Sequence, residues 1–385
     1  MPCHLSRLRK RTAIQTLGLI LISGACLVGE SAEFTKPKWH DELVSAIKAN
    51  NVASVERVYS TNSLTPETAL NVNASTSLMV ASSLGSLDVV KWLLSRGANV
   101  KARTILEDPE KSPGVADCTA LHLACARNHV EVAKVLIEHG ADLNQQDGSG
   151  NSSFILACAK GHLETIQLLI KHGANVEMPN GNGWTPLLVA VDQDQVAAAK
   201  FFISQGANIN AEYPNGRNAL MKAAELGNEQ LVNLFIEKGA DVNHTNSSGA
   251  NALVDGAVAG HDKVVKLLIQ GGAKLDRRDG EGWTALIKAA AHGHCETVKV
   301  LCAAGANPAA TNKFGRTGFD YARGITGTNV LTKTSNLQPL IDSGSIAPED
   351  LYYAMLRVAG EGDFDCVTKV LADYNKRLPQ KPTDN

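Results

Sequence analysis

The residues with the widest chemical reach in this chain are its eight cysteines and eleven histidines, and their spacing limits what they can do. Cys3 and Cys26 fall in an N-terminal stretch treated below, which leaves Cys118, Cys125, Cys158, Cys295, Cys302 and Cys366. No two of them form a Cys-x-x-Cys pair, the spacing of zinc sites and dithiol redox centres. Cys125 and Cys158 lie 33 residues apart, a period that recurs along the chain. Equivalent positions on neighbouring helices sit roughly 8–10 Å apart, whereas a disulfide needs Cα atoms within about 7 Å. The cysteines therefore read as small buried hydrophobes, with Cys118 the one expected at the surface. His162, His261 and His294 each follow a glycine, and His139 and His172 each precede one, in step with the same period. Metal ligands must converge from separate segments, so periodic histidines read as framework and no metal ligand is expected. Gly148-Ser149-Gly150 and Gly181-Asn182-Gly183 invite a phosphate-loop reading. They lack the third glycine and preceding strand of a dinucleotide fingerprint, and they recur in phase as turns. Neither Gly-x-Ser-x-Gly nor His-Glu-x-x-His occurs, and Asp192 and Asp194 read as turn residues. No catalytic residue and no cofactor is expected, hence no enzyme.

Composition narrows the class further. The 385 residues carry 37 Lys and Arg against 39 Asp and Glu, with 44% apolar and 5% aromatic side chains. That excludes wholesale disorder, and so even a charge balance does not advertise nucleic-acid binding. At the N-terminus, Arg7, Arg9, Lys10 and Arg11 precede an apolar stretch from Ala13 to Ile22 and the small residues Ser23-Gly24-Ala25. This is the layout of a secretory signal peptide, expected over residues 1–25, with cleavage as late as residue 32 the alternative. Cys26, directly after Ala25, keeps open an acylated lipoprotein anchor, although Ser23 stands where such motifs carry Leu or Val. An uncleaved anchor is a third reading, disfavoured because a span needs about 20 apolar residues. The mature protein is thus expected to be exported, secreted or periplasmic. Without residues 1–25 it retains 33 basic and 39 acidic residues, a net charge of −6.

What positions the rest is a repeat. Gly-Ala-[Asn/Asp] recurs at Gly97, Gly140, Gly173, Gly206, Gly239 and Gly305, with Gly272-Ala273-Lys274 as a variant; after a first gap of 43, every spacing is 33. Thr76, Thr119, Ser152, Thr185, Asn218, Asn251, Thr284 and Thr317 share one repeat position, and all are helix N-cap types. Two residues on stands Leu or Phe, and five residues on stands Ala, or Gly at 256, small enough for helices to approach closely. A second helix with apolar residues at helical spacing, such as Val264, Val265, Leu267 and Leu268, stops at the Gly of Gly-Ala. One unit is helix, turn, helix and a polar turn finger.

Thr119-Ala120-Leu121-His122-Leu123-Ala124 and Thr185-Pro186-Leu187-Leu188-Val189-Ala190 carry this pattern in its fullest form, followed by segments such as Ala159-Lys160-Gly161-His162. In these residues the chain resembles the ankyrin repeat family over about 73–322. The resemblance implies an all-α solenoid of helix-turn-helix units with β-turn fingers, capped at both ends. Asn128 and Asp194 depart from it, standing where the inter-helix turn has glycine. The expected organisation is a degenerate N-terminal helical unit at 36–72, repeats at 73–322 with an insertion at about 103–116, and a degenerate repeat or loop at 323–348. A C-terminal helical cap at 349–374 and a disordered tail at 375–385 complete it; end units of a stack must close its core against water.

Binding residues are those that the framework does not require. The position before each cap holds Cys118, Asn151, Trp184, Arg217, Ala250, Trp283 and Arg316. Trp and Arg dominate binding hot spots, so Trp184, Arg217, Trp283 and Arg316 are candidates, unless the two tryptophans merely lie on a neighbouring finger. The resemblance implies that a partner is gripped by finger tips and the inner face of the first helix. Carried over by position, that adds Asn182, Asn215, Glu281, Lys313 and Phe314 at the tips, and Lys160, Gln193, Glu225, Leu226 and His292 on the helices. The insertion replaces a finger and is either a second binding element or a tolerated loop. The expectation is a non-catalytic adaptor for another protein, with a dedicated inhibitor or stabilising chaperone of one exported enzyme as the alternative. Neither nucleic acid nor a membrane span after the signal region is expected.

Overall fold

A computed structural model describes residues 37–70, 75–104, 117–323 and 368–372. The signal region with Cys26, nearly all of the insertion, the stretch beyond Arg323 and most of the C-terminal cap and tail lie outside the described residues. The described chain divides into two compact units, the first reaching Asn175 with 180–182, the second comprising 176–179 and the chain from Gly183.

Unit 1 contains α1 (Lys38–Lys48), α2 (Val52–Thr61), α3 (Ser77–Leu84), α4 (Leu87–Ser95), α5 (Ala120–Ala126), α6 (Val130–Glu138), α7 (Ser153–Lys160) and α8 (Leu163–Lys171). Unit 2 contains α9 (Pro186–Asp192), α10 (Val196–Ser204), α11 (Ala219–Leu226), α12 (Glu229–Glu237), α13 (Ala252–Ala259), α14 (Asp262–Gln270), α15 (Ala285–Ala291), α16 (Cys295–Ala303) and α17 (Gly318–Arg323). Within each unit, first helices pack on first helices and second helices on second helices. These helices run from six to eleven residues, too short to persist alone in water. Their stability comes from stacking.

Most first helices start where a polar side chain takes up an orphan amide. The Met79 N–H donates to Thr76 at 3.4 Å, Met221 to Asn218 at 2.9 Å, Val254 to Asn251 at 3.0 Å and Ile287 to Thr284 at 3.3 Å. At α5 the fully buried His122 does more. Its Nδ1 accepts from the Thr119 N–H at 3.1 Å, while Nε2–H donates to Gln145 O at 2.9 Å, tying cap to finger. His40 plays the matching part in α1, donating from Nε2 to Leu70 O at 2.8 Å.

The inter-helix turn needs a left-handed residue, and Asn128 (φ 59°) and Asp194 (φ 56°) adopt that conformation where other repeats use glycine. Short polar side chains tolerate it best after glycine. The small positions are filled as the spacing demands: Ala81, Ala124, Ala157, Ala190, Ala223 and Ala289 are all completely buried.

The fingers are built on one carboxylate or amide each. Asp279 Oδ1 accepts from the Glu281 and Trp283 amides, both at 2.9 Å, and Asp147, Asn246 and Asn312 do the same in their fingers. Adjacent fingers then bond backbone to backbone, Gly181 N–H to Gly150 O at 2.7 Å in unit 1 and Gly280 N–H to Ser248 O at 2.7 Å in unit 2. That approach explains the glycines: a Cβ on Gly150 would stand 2.6 Å from Gly181 Cα.

Two cysteine expectations need correction. Cys118 is buried, because its N–H donates to Thr104 Oγ1 and its carbonyl accepts from the Thr104 N–H, both at 2.9 Å, closing the finger base over it. Cys295 is disulfide-bonded; repeat spacing constrains only cysteines at equivalent positions, and Cys295 has no equivalent. Cys125, Cys158 and Cys302 are free and buried. Burial pushes the Cys302 thiol up to about 11 and also raises Cys125 and Cys158, leaving them inert at neutral pH.

Candidate functional site

On the first-helix side, the fourth position after each cap holds Val80, Leu123 and Leu156 in unit 1, but Val189, Lys222, Asp255, Lys288 and Tyr321 in unit 2. Charge on this side is therefore concentrated in unit 2. Asp192 pairs with Lys222 at 3.1 Å, Lys222 approaches Glu225 at 3.7 Å, Arg217 holds Glu225 at 2.6 Å, and Arg217 also holds Asp255 at 2.9 Å. The result is a chain of alternating sign across α9, α11, one finger and α13, in which three carboxylates share two cations.

The electrostatics follow from that count. Burial pushes the Asp255 carboxyl up to about 6, against the pull of Arg217 and with the Glu225 charge adding to the rise. For Arg217 burial works against the charge, yet Asp255 and Glu225 hold its pKa above the usual value. Beneath the chain, Tyr213 donates from its hydroxyl to Leu188 O at 2.8 Å, and burial raises its pKa further.

The structure treats the candidate residues unequally. Trp283 is 2% exposed, which corrects its reading as an outward anchor. It lies 4.8 Å from the ring of Tyr321 in a cluster with Ile287, Ala291 and Ala310, and Lys288 Nζ caps it at 4.0 Å. Arg217 likewise serves the ion-pair chain, with its side chain only 16% exposed. Trp184 is half-buried, edge-on to Tyr213 at 5.1 Å. Arg316 is half-buried over Tyr321 at 5.9 Å, and His292 stacks on His294 at 5.8 Å. Burial first, then the charges of His294 and Lys288, lower His292 to about 4.

Fully outward are Asn182, Asn215, Gln193, Lys313 and Glu281, the last two paired at 3.0 Å. Lys160 is half-buried. Leu226 at 38% and Phe314 at 43% are the large apolar side chains left exposed among the described residues, one at the end of a first helix and one at a finger tip. Asp192, Lys222, Asp255 and Lys288 had not been singled out for this face. The spacing of four from each cap would have found the last three, and that of seven Asp192. Among the described residues, no group of three or more His, Cys, Asp or Glu could hold a metal ion, and no helix is long and apolar enough to cross a membrane. A shallow groove of about 400 Å³ between α14 and α16, lined by Ile269, Val300 and Ala303 among others, belongs to the second-helix side.

The sequence matches the family model described as Ankyrin repeats (3 copies) at 43–147, 102–180, 121–213, 154–246, 198–279 and 220–312, more than half of the chain. Among curated proteins, it is 37% identical over 79 residues to Ankyrin repeat and SOCS box protein 6 of Mus musculus, and equally to that of Pongo abelii. Each match covers 20% of this chain and 17% of the relative, so the chain spans less than a fifth of the curated relatives it matches. Among solved structures, the crystal structure of the human ASB11 ankyrin repeat domain aligns with a TM-score of 0.53 and 27% identity, covering 61% of this chain and 100% of that one.

The surplus carboxylate makes a signed prediction. Because the Asp255 pKa is raised on folding, its contribution to stability is complete below about pH 4 and is lost as pH rises through about 6. Asp255→Asn stays neutral throughout. The urea stability of the variant relative to wild type should therefore grow by about 1–2 kcal/mol from pH 5 to pH 8. A difference that does not change with pH contradicts the assignment.

Proposed function

The chain belongs to the ankyrin repeat family, and from that premise we propose that it is a non-catalytic binding module, an adaptor that holds a partner protein against its fingers and its first helices. Ankyrin repeats are generally protein-protein interaction modules. One observation carries the choice of face. Among the described residues, the large apolar side chains left exposed are Leu226, on a first helix, and Phe314, at a finger tip. An exposed apolar group ringed by polar ones suits a contact that excludes water on association. Rigid, mutually bonded fingers also lower the ordering entropy that binding would otherwise cost.

Affinity capture from the exported fraction of the source organism tests this, using wild type and the double variant Leu226→Asp with Phe314→Asp. Neither side chain is buried, so the melting temperature should stay within about 2 °C, as for surface substitutions generally. Loss of a stoichiometric protein partner at unchanged melting temperature is the expected result; equal capture by both proteins contradicts the proposal. Export belongs to the same reading and is supported by the arrangement of Arg7 to Ala25. The intact mass of the mature protein is expected to correspond to cleavage after Ala25, without lipid on Cys26. A mass that includes residues 1–25 contradicts export by cleavage, and a diacylglycerol increment on Cys26 would make the protein membrane-anchored.

A further inference from the structure

Each unit repeats one hydrogen bond, and the donor changes from a side chain that cannot titrate to one that can. The residue that opens a second helix reaches back to a carbonyl in the last turn of the preceding pair's first helix or, for Asn228, to the side chain of the turn residue Asp194. In unit 1, Ser86 Oγ donates to Ile47 O at 2.6 Å, His129 Nε2 to Ser83 O at 3.1 Å and His162 Nε2 to Ala126 O at 3.2 Å. In unit 2, Asn228 Nδ2 donates to Asp194 Oδ1 at 2.6 Å, His261 Nε2 to Glu225 O at 3.1 Å and His294 Nε2 to Val258 O at 2.9 Å. The rings are packed between pairs. A Cβ on Gly85, Gly227 or Gly260 would stand 2.5, 2.7 or 2.6 Å from the ring of His129, His261 or His294. These histidines also sit at the N-cap of the helix that they open, where the helix dipole opposes positive charge.

We propose that His129, His162 and His294 make the coupling between helix pairs acid-sensitive: acidification loosens the junctions they hold and spares the first junction of each unit, held by Ser86 or Asn228. The consequence for binding rests on the functional reading above, because the proposed face is built on stacked first helices. The loosening itself needs no partner.

The sign is set by the neutral ring. Burial lowers the pKa of His129, His162 and His294, while the unfolded residues take up protons near 6.5. Their contribution is therefore present above about pH 6.5 and is lost as pH falls from there through the folded values. The Arg127 charge acts in the same direction on His129 and the Lys160 charge on His162, while the hydrogen bonds to Ser83, Ala126 and Val258, which a protonated ring still donates, act the other way and are outweighed by burial. His292 stacks on His294 from the end of α15. Acids stand in the first turns of the helices these histidines open, Glu131, Glu164, Asp262 and Glu296. Around His261, the chain of Asp192, Lys222, Glu225, Arg217 and Asp255 titrates through Asp255 with the opposite sign, so a histidine variant is needed to isolate the effect.

Hydrogen exchange by mass spectrometry on the full chain at pH 7.5 and 5.0, corrected for the intrinsic pH dependence of exchange, reads it directly. In wild type, amides of α5–α8 and α13–α16 are expected to lose about tenfold more protection on acidification than those of α1–α2 and α9–α10. In the variant His129→Gln, His162→Gln and His294→Gln, whose amides can still donate, that excess should vanish. Equal loss in all pairs of wild type, or an excess that survives in the variant, overturns the proposal. Should the variant not fold, NMR titration of the wild-type rings decides: His129, His162 and His294 titrating below 6.5 support it, and values at or above 6.5 overturn it. None of these readings requires a partner, so they fail or succeed independently of the binding proposal.

Discussion

Everything in this protein depends on the fact that its helices are too short to be stable one at a time. A helix of seven to nine residues gains few internal hydrogen bonds against the entropy of ordering it. The deficit is made up by packing between pairs: first helices meet across fully buried alanines, and second helices meet across residues such as Val265, Leu268 and Val298. Hydrogen bonds between pairs then fix the spacing. They run at two levels, through the turn residues Ser86, His129, His162, Asn228, His261 and His294, and through the backbone of adjoining fingers.

How much of this was legible in the sequence follows from how far each signal reaches. Caps, turn glycines and small packing positions are local, and a 33-residue period repeats them, so the helix pairs and their fingers could be drawn before any coordinates. Asn128 and Asp194 show the same logic: a departure from glycine that the left-handed turn still accepts. Side chains whose environment is supplied by another repeat were misread. Trp283 looked outward until Tyr321 and Lys288 closed over it. Arg217 looked like an anchor until Glu225, eight residues on, and Asp255, thirty-eight residues on, claimed both ends of its guanidinium. Cys118 was hidden by Thr104 across the base of a finger. In a repeat, position predicts the backbone well, but exposure depends on what the next repeat puts opposite.

Two kinds of polar group result. Some are consumed by the framework, such as the cap residues, the finger carboxylates and the turn histidines, and their number scales with the number of repeats. Others appear in one place only. The alternating ion pairs of unit 2, with one more carboxylate than cations, have no counterpart among the equivalent positions Val80, Leu123 and Leu156 of unit 1. Leu226 and Phe314 belong with them, as apolar groups that the array has no need to expose. Stacking makes the scaffold, and the residues it leaves over are where individuality, and therefore recognition, can reside.

The dependence of each pair on its neighbours can be measured most directly on a single excised unit. A peptide of residues 218–249, carrying α11, α12 and the following finger, should show a coil-like circular dichroism spectrum in water and no cooperative melt, because both apolar faces would be left open. A helical spectrum with a sigmoidal thermal transition in the monomeric peptide would contradict the account, since it would mean that one unit carries its own stability.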